Sequence, residues 1–281
     1  MDSNTQSSTE EAVRFGVDAH LVGILSKPAV LDSDKPCMIL ISAGLIHKTG
    51  PHRMHTLISR ALVTQGFAVF RFDLNGVGDS RRSLSEFDVN ERSLSDIVSA
   101  MDFLAEQGIK TFILGGLCSG AEDSFQAAYR DSRVVGVFLL DPHGYKTWGY
   151  HYRDFWFKVR RKIKWWLWGD AFNKDQSTRQ SEALDELVAF RETLPREGNL
   201  SILNNLVQRK VRVHYIYTGG VVGYFNYQQQ FYRMFPKLEP SQYIQVSYYP
   251  ELDHTAIIEK DRNKLIDLLK EWLAEHFSTN S

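Results

Sequence analysis

Short apolar runs alternate along the chain with segments of helical periodicity. Runs of about four to eight apolar residues are typical of buried strands, whereas apolar spacings of three and four residues predict amphipathic helices. Residues 13–26 alternate between apolar and polar positions and predict a hairpin that turns near Asp18. Further strands are predicted at 37–44, at 67–80 running into a glycine-rich turn, and at 111–116, 133–141, 211–220 and 243–250. Helices are predicted at 52–66, 93–108, 119–130 and about 256–277.

This alternation predicts an α/β protein with one mainly parallel sheet. Nearly continuous apolar strands indicate that helices cover both faces of the sheet. The regular pattern stops from 142 to 209, and a structureless loop of that length is unusual in a compact domain. We therefore expect a small helical cap over the carboxyl edge of the sheet, where open α/β sheets bind ligands. The predicted organisation is a disordered terminus at 1–12, core at 13–142, cap insertion at 143–209 and core again at 210–281.

Composition narrows the class of protein. The 33 basic and 34 acidic residues nearly balance, so no overall charge favours nucleic acid. Two cysteines are too few for a disulfide framework, and we expect a cytoplasmic location. The polar first ten residues lack the features of a signal peptide, and no apolar run predicts a membrane span.

The segment GGLCSGA, residues 115–121, follows one predicted strand and begins a helix. Strand, G-x-nucleophile-x-G and helix form a nucleophile elbow, whose tight turn needs small residues on both sides of the nucleophile. Centring the motif on Cys118 places Gly116 and Gly120 at those flanks, whereas centring it on Ser119 places a leucine and an alanine there. The spacing therefore favours Cys118 as nucleophile over a buried structural cysteine.

Three motifs together resemble the α/β-hydrolase superfamily over residues 13–278. RFDLNGVGDS at 71–80 resembles the family's strand followed by an R-G-x-G-x-S turn, with Asn75 in place of the usual arginine. GLCSGA matches the elbow with cysteine instead of serine, and PELDHT at 250–255 resembles the loop that carries the family's histidine.

Residues 47–80 are more narrowly similar to small hydrolases associated with bacterial exosortase and exopolysaccharide gene clusters. Cysteine elbows also occur in dienelactone hydrolases and polyhydroxyalkanoate synthases. The synthases are longer and usually have a second glycine where this chain has Ala121. The resemblance implies an α/β-hydrolase fold and a nucleophile–acid–histidine order along the chain.

A thiol nucleophile needs a base, and the base needs an orienting acid. The family order makes His254 the base. The strand before the histidine strand usually supplies the acid, but residues 211–238 contain no carboxylate. Asp141, which ends the strand at 133–141, is the predicted acid. A dyad without an acid stays open, since a thiol ionises more easily than a hydroxyl.

The fold also predicts two backbone donors for an oxyanion. One is the N–H of Ser119, the residue after the nucleophile, and the other is the N–H of Leu45 in the loop after the strand at 37–44. His47 and His52 lie in or near the same loop, and His47 is a candidate substrate-binding residue. Tyr224 is a further candidate after the strand at 211–220.

The segment 147–170 holds five of the six tryptophans and six basic residues against two acidic ones. Three interpretations stay open. The aromatic side chains, Trp148 and Trp156 among them, line a pocket for an apolar acyl group; they contact a membrane interface; or they pack on the sheet. A single-stranded nucleic-acid site also combines aromatic and basic residues, but nothing else supports it.

The predicted function is acyl transfer through a covalent thioester on Cys118, with water as the simplest acceptor. This describes an esterase or thioesterase acting on a small-molecule acyl substrate, free or carrier-bound, without metal or other cofactor. Two alternatives remain: an acyltransferase that passes the acyl group to an amine or alcohol, and a catalytically inactive binding protein of the same fold.

Overall fold

The computed structural model describes residues 8–83, 89–168 and 194–278. These residues form one eight-stranded sheet in the order β1-β2-β4-β3-β5-β6-β7-β8. Every predicted strand is present. The strands are β1 (Thr9–Phe15), β2 (Leu21–Lys27), β3 (Cys37–Ile41), β4 (Val69–Phe72), β5 (Phe112–Leu117), β6 (Val134–Leu140), β7 (Arg212–Thr218) and β8 (Ile244–Tyr249).

Seven α-helices connect or follow these strands within the described residues. They are α1 (Met54–Val63), α2 (Val89–Glu106), α3 (Ser119–Arg130), α4 (Trp148–Trp168), α5 (Arg196–Gln208), α6 (Gln230–Met234) and α7 (Glu259–Phe277). Among the described residues, no helix is long and apolar enough to cross a membrane.

The sheet is mainly parallel, as predicted. β1 pairs antiparallel with β2 and β2 antiparallel with β4, whereas the other five pairings, from β4 through β3 to β8, are parallel. The predicted hairpin is the β1–β2 pair. β1 starts at Thr9, inside the terminus predicted to be disordered at 1–12, because Thr9 to Phe15 pair with β2 along their whole length. Residues 1–7 lie outside the described residues.

Both faces of the central strands are buried, which explains their continuous apolar sequences. In β3, Cys37, Ile39 and Ile41 belong to one apolar cluster, and the intervening Met38 and Leu40 belong to another. The first cluster includes side chains of α2, α3 and α5, and the second includes side chains of α1 and α7. The alternation of strand side chains thus produces a helix–sheet–helix sandwich.

The predicted helix at 93–108 begins earlier than the sequence suggested. α2 starts at Val89, four residues before the predicted start, and Ser93 is buried inside the helix. The two terminal guanidinium nitrogens of Arg130 on α3, Nη1 and Nη2, donate to the Glu91 carboxylate at 2.7 and 2.6 Å. This forked ion pair joins the additional first turn of α2 to the end of α3.

The segment after β6 contains two helices, α4 and α5, where a helical cap was predicted. Residues 169–193, which form the middle of the predicted cap, lie outside the described residues, and so do the side chains of 164–168. The cap boundaries at 143 and 209 therefore stay predictions.

The start of α3 lies unusually close to the strands before and beside it. A Cβ added to Gly116 would lie 2.3 Å from the backbone of Gly120, and one added to Gly120 would lie 2.5 Å from the carbonyl oxygen of Ile41. Only glycine at both positions lets the helix begin directly at the edge of β3 and β5.

We expect Gly120→Ala to destabilise the protein by about 1–3 kcal/mol, because the added methyl must displace backbone atoms. Gly198→Ala is the matched control. A Cβ at Gly198 would meet only atoms 3.8 Å away or more, and removing a helical glycine stabilises by about 0.5–1 kcal/mol. Urea unfolding of both variants checks this prediction. Equal stability of the two variants would contradict it.

Candidate active site

Cys118 occupies the sharp turn between β5 and α3. Its φ is 54° and its ψ is −120°, a conformation that is uncommon for a residue with a side chain. The turn is held because the Cys118 N–H donates to the Leu140 carbonyl at 2.9 Å and its own carbonyl accepts from Ala121 at 3.0 Å. Cys118 is partly exposed, whereas Cys37 is fully buried in β3. Strained backbone at a partly exposed nucleophilic residue is a feature of functional sites.

The start of α3 provides an electropositive environment for this thiol. Ser119 is the first residue of the helix, so its N–H has no partner within the helix. The positive end of the helix dipole lies beside Cys118 and favours a negative charge there. The same N–H is therefore available to an oxyanion formed next to the sulfur.

Asp141 follows β6 directly and has left-handed backbone geometry, with φ of 50°. Its carboxylate is completely buried and accepts three hydrogen bonds. The Thr218 N–H and hydroxyl each donate at 2.6 Å, and His254 Nδ1–H donates to Oδ2 at 2.8 Å. A buried carboxylate with three donors is fixed in position.

His254 lies between Asp141 and Cys118. Burial lowers the pKa of the imidazole, but hydrogen bonds and charge interactions with Asp141 and Cys118 outweigh burial and raise it from 6.5 to about 10. The backbone of His254 is also packed against the loop after β7, because a Cβ on Gly220 would lie 2.4 Å from the His254 Cβ and 2.7 Å from its N. The structure thus brings together all three residues of the candidate triad, Cys118, His254 and Asp141.

Sequence reasoning missed the role of Thr218. This residue ends β7, where the family usually has its acid, and instead of a carboxylate it supplies two hydrogen bonds to Asp141. The absence of carboxylates from 211–238 directed attention to β6, but a threonine at a strand end carries no signal of its own. The carboxylate that contacts His254 lies instead at the end of β6, one strand along the sheet, and Thr218 holds it there.

The loop after β3 carries the second candidate oxyanion donor. The Gly44 N–H donates to the Ser119 hydroxyl oxygen at 2.9 Å, so Gly44 is already engaged. The next residue, Leu45, is 86% exposed, and its N–H is the predicted donor. Ser119 was considered only for its backbone N–H, yet its side chain joins this loop to the nucleophile turn.

A buried ion pair anchors the other end of the same loop. The Lys48 ammonium group donates to Asp73 at 2.7 Å and also contacts Asp79, and both aspartates lie in the turn after β4. Asp73 is fully buried and accepts the Asp79 N–H at 2.9 Å. Lys48 thereby joins the loop after β3 to the turn after β4, a contact that the sequence did not reveal.

The other predicted binding residues lie at different distances from the triad. The Tyr224 hydroxyl donates to the Asp141 carbonyl at 3.2 Å, and its ring stacks on His143. His47 is exposed and contacts Thr49 within its own loop, and His52 is also exposed. Among the described residues, no hydrogen bond joins either histidine to the triad.

Trp148 and Trp156 lie on α4 and are exposed, Trp148 by 83%. Their ring contacts among the described residues are with neighbouring aromatic side chains of α4. Their predicted contact with substrate stays a prediction.

Glu122 is a further acidic group near the elbow that sequence reasoning missed. It lies one turn after Cys118 on α3 and accepts the His143 N–H at 2.7 Å. Burial raises the pKa of this carboxyl to about 7, although the hydrogen bond from His143 opposes the shift. Glu122 thereby joins α3 to the segment that follows Asp141.

Within 8–83, 89–168 and 194–278, no group of three or more His, Cys, Asp or Glu side chains has an arrangement that would hold a metal ion.

A family model described as the alpha/beta hydrolase fold matches residues 38–245, most of the chain. The protein therefore belongs to the α/β-hydrolase family, and the predicted fold class is confirmed. The cysteine in the elbow is a departure from the family's usual serine within this fold.

Solved structures with the same fold include an esterase from Pyrococcus furiosus, with a TM-score of 0.61 and 14% identity over 98% of this chain and 92% of that one. A thermophilic esterase from Thermogutta terrifontis has a TM-score of 0.56 and 16% identity over 96% of this chain and 100% of that one. An α/β serine hydrolase homologue from Coxiella burnetii has a TM-score of 0.56 and 14% identity, covering 97% and 100%. At these identities the likeness shows the fold alone. No curated protein matches the chain.

We predict that His254 is still an imidazolium at pH 8. Its pKa is raised to about 10, so it loses its proton only as the pH rises toward that value. Asp141→Asn removes a charge partner, and the imidazole of that variant should be neutral at a lower pH than in wild type. Imidazole ¹⁵N chemical shifts across a pH series measure both values. A neutral His254 at pH 8 in wild type would show that the pairing with Asp141 and Cys118 is weaker than the structure indicates.

We also predict a kinetic effect of the Ser119 side chain. Ser119→Ala removes the acceptor of the Gly44 N–H, so the loop carrying Leu45 loses its link to the nucleophile turn. We expect kcat on a reactive ester to fall about tenfold, since small displacements of catalytic groups are costly, while KM changes little. Ser119→Thr retains the hydroxyl and serves as the matched control. Equal kcat values for the alanine variant and wild type would remove Ser119 from this role.

Proposed function

We propose that the protein is a cysteine-nucleophile α/β hydrolase that cleaves ester or thioester bonds through an acyl-cysteine intermediate. Cys118 is the nucleophile, His254 the acid and base, and Asp141 the orienting acid. The Ser119 and Leu45 N–H groups are the oxyanion donors. The resemblance of residues 47–80 to exosortase-associated hydrolases stays a prediction about its subgroup.

One observation supports this proposal most strongly. Three groups from three separate loops lie together. They are a strained cysteine at a strand–helix turn, an imidazole beside it, and a buried carboxylate bonded to the far nitrogen of that imidazole. A structural cysteine has no need of such partners. The arrangement has the nucleophile, base and orienting group that covalent acyl transfer requires.

The first chemical step begins from a thiolate–imidazolium pair, which the raised pKa of His254 favours. The sulfur forms a bond to the substrate carbonyl carbon, and the electron pair of the carbonyl moves to its oxygen. The two backbone N–H donors stabilise this oxyanion. When the carbonyl re-forms, the bond to the alcohol or thiol breaks, and the leaving group takes the proton from His254 Nε2.

The second step reverses these roles. His254, now neutral, takes a proton from water as the water oxygen attacks the thioester carbonyl. The tetrahedral oxyanion again lies at the Ser119 and Leu45 amides. Collapse of this intermediate breaks the carbon–sulfur bond, releases a carboxylic acid and restores the ion pair. Every proton moves between His254 and a reacting group, so no further co-reactant is required.

Asp141 contributes by fixing the imidazole. Its Oδ2 accepts from Nδ1–H at 2.8 Å, which leaves Nε2 directed toward the sulfur. The two Thr218 hydrogen bonds stop the carboxylate from rotating away. The Asp141 carboxylate orients the imidazole and stabilises the imidazolium, as in other nucleophile–histidine–acid sites.

We expect Cys118→Ala to abolish turnover of a panel of activated esters and acyl thioesters without altering thermal stability, because the partly exposed thiol contributes little packing. Asp141→Asn should lower kcat/KM about tenfold or more. Cys37→Val, in the buried core, is the matched control and should retain activity. Unchanged turnover by Cys118→Ala would exclude the mechanism, and an inactive wild type across the panel would favour the binding-protein alternative.

A further inference from the structure

Helix α4 exposes a row of large apolar side chains to solvent. They recur every three or four residues along its first part and so lie on one side of the helix. We call this row the α4 stripe, and it consists of Trp148, Tyr152, Phe155, Trp156 and Ile163. Phe157 is also exposed, but it lies on the opposite side of the helix and is not part of the stripe. Contiguous apolar surface of this kind marks an interaction site more often than it marks ordinary protein surface.

The stripe is ordered by contacts within itself. Trp148 stacks on Tyr152 with ring centroids 6.2 Å apart, and Trp156 meets both Tyr152 and Phe155 edge to face. The rings thus form a continuous aromatic surface.

Cations surround this apolar surface. Arg160, Arg161 and Lys162 are exposed on the second half of the described helix. Asp154 is the one acidic residue between Trp148 and Ile163, and Lys158 pairs with it at 2.7 Å. Residues 148–163 of α4 therefore combine exposed aromatic rings with an excess of positive charge, although the whole chain is nearly neutral.

Exposed apolar side chains also occur on the loops that carry the candidate triad. Leu45 lies on the loop after β3, and Val222 lies on the loop after β7. Ile257 and Ile258 lie just beyond His254. All these loops leave the carboxyl edge of the parallel sheet, where ligands bind. We call these four residues the apolar rim.

Hydrogen bonds join α4 to the same edge. The Tyr150 hydroxyl donates to the Gly223 carbonyl at 2.6 Å, and Thr147 and Tyr227 share a hydrogen bond of 2.9 Å. Asn226 donates to the Tyr150 carbonyl at 3.2 Å. The first turn of α4 is therefore fixed to the loop that also bears Val222 and packs on His254.

We propose that the α4 stripe and the apolar rim together form a surface that docks on an anionic lipid bilayer. Tryptophan and tyrosine with flanking lysine and arginine are the side chains that suit the boundary between lipid headgroups and acyl chains. The excess positive charge complements anionic headgroups. A protein partner would equally bury aromatic rings, but the cationic flank and the row of amphipathic rings favour the bilayer.

Docking in this way would direct the carboxyl edge of the sheet, with Cys118, toward the lipid. The inferred substrate class is then an amphiphilic acyl ester or thioester presented at a membrane surface. This part of the inference rests on the proposed acyl transfer, whereas the docking itself does not.

The test is co-sedimentation of the full chain with vesicles of phosphatidylcholine alone or with about one third phosphatidylglycerol. We expect binding to the anionic vesicles that weakens as salt is raised. Trp148→Ser with Trp156→Ser should weaken binding about tenfold or more. Arg160→Gln and Lys162→Gln should each weaken it about fivefold, the equivalent of about 1 kcal/mol per charge.

Matched controls lie at the opposite edge of the sheet. Tyr129 is an exposed aromatic residue near the end of α3, and Lys110 is an exposed cation just before β5. Tyr129→Ser and Lys110→Gln should bind vesicles as wild type does. Because the α4 residues are exposed, their replacement should leave thermal stability unchanged, and circular dichroism verifies this.

Cys118→Ala should retain vesicle binding, which separates docking from catalysis. Binding by this variant together with a catalytically inactive wild type would refute the proposed function and leave the docking surface intact. No binding of wild type to anionic vesicles would overturn the inference. The inference would also be overturned by vesicle binding that survives the α4 replacements but is lost in the control variants. Self-association through the stripe without lipid binding would overturn it as well.

Discussion

The buried Asp141 carboxylate is the group on which the rest of the candidate site depends. It lies at the end of β6 in a left-handed conformation and is completely removed from solvent. Burial of this polar group is offset because Thr218 and His254 donate three hydrogen bonds to it. These bonds fix the last residue of β7 and the histidine loop relative to β6. The hydrogen bond and charge interaction with Asp141 contribute to the raised pKa of His254. Asp141 thus influences the protonation of the imidazole that faces Cys118, although it lies on the other side of the ring.

The serine next to the cysteine has a different task. Ser119 accepts a hydrogen bond from Gly44, and Lys48 binds Asp73 farther along the same loop. The loop that carries Leu45 is thus held at two points, once by the elbow and once by the turn after β4. Cysteine occupies the strained position of the elbow and serine the first helical position, where its hydroxyl holds the loop and its N–H remains free for an oxyanion. In the proposed mechanism, Cys118 is the nucleophile and Ser119 positions the loop.

Much of this architecture could be predicted from the sequence because it depends on local patterns. The buried strands and the elbow glycines each have one physical reason, which can be read in a few residues. Asp141 could be chosen because the usual acid position was empty. Thr218, Lys48 and Glu122 could not be found in this way, since each acts on a residue far along the chain. Their partners are defined by the pairing of strands and loops, and no local spacing reveals them.

The central claim is that Cys118 forms a covalent acyl intermediate, and intact-protein mass spectrometry tests it most directly. Wild type is mixed with activated esters and acyl thioesters of increasing chain length and quenched in acid. The account predicts a mass gain of one acyl group, located on Cys118 by peptide mapping and absent from Cys118→Ala. Cys37 is an internal control, because burial raises the pKa of its thiol and should keep it unmodified. No adduct with any acyl donor, together with alkylation of Cys118 no faster than that of Cys37, would contradict the account.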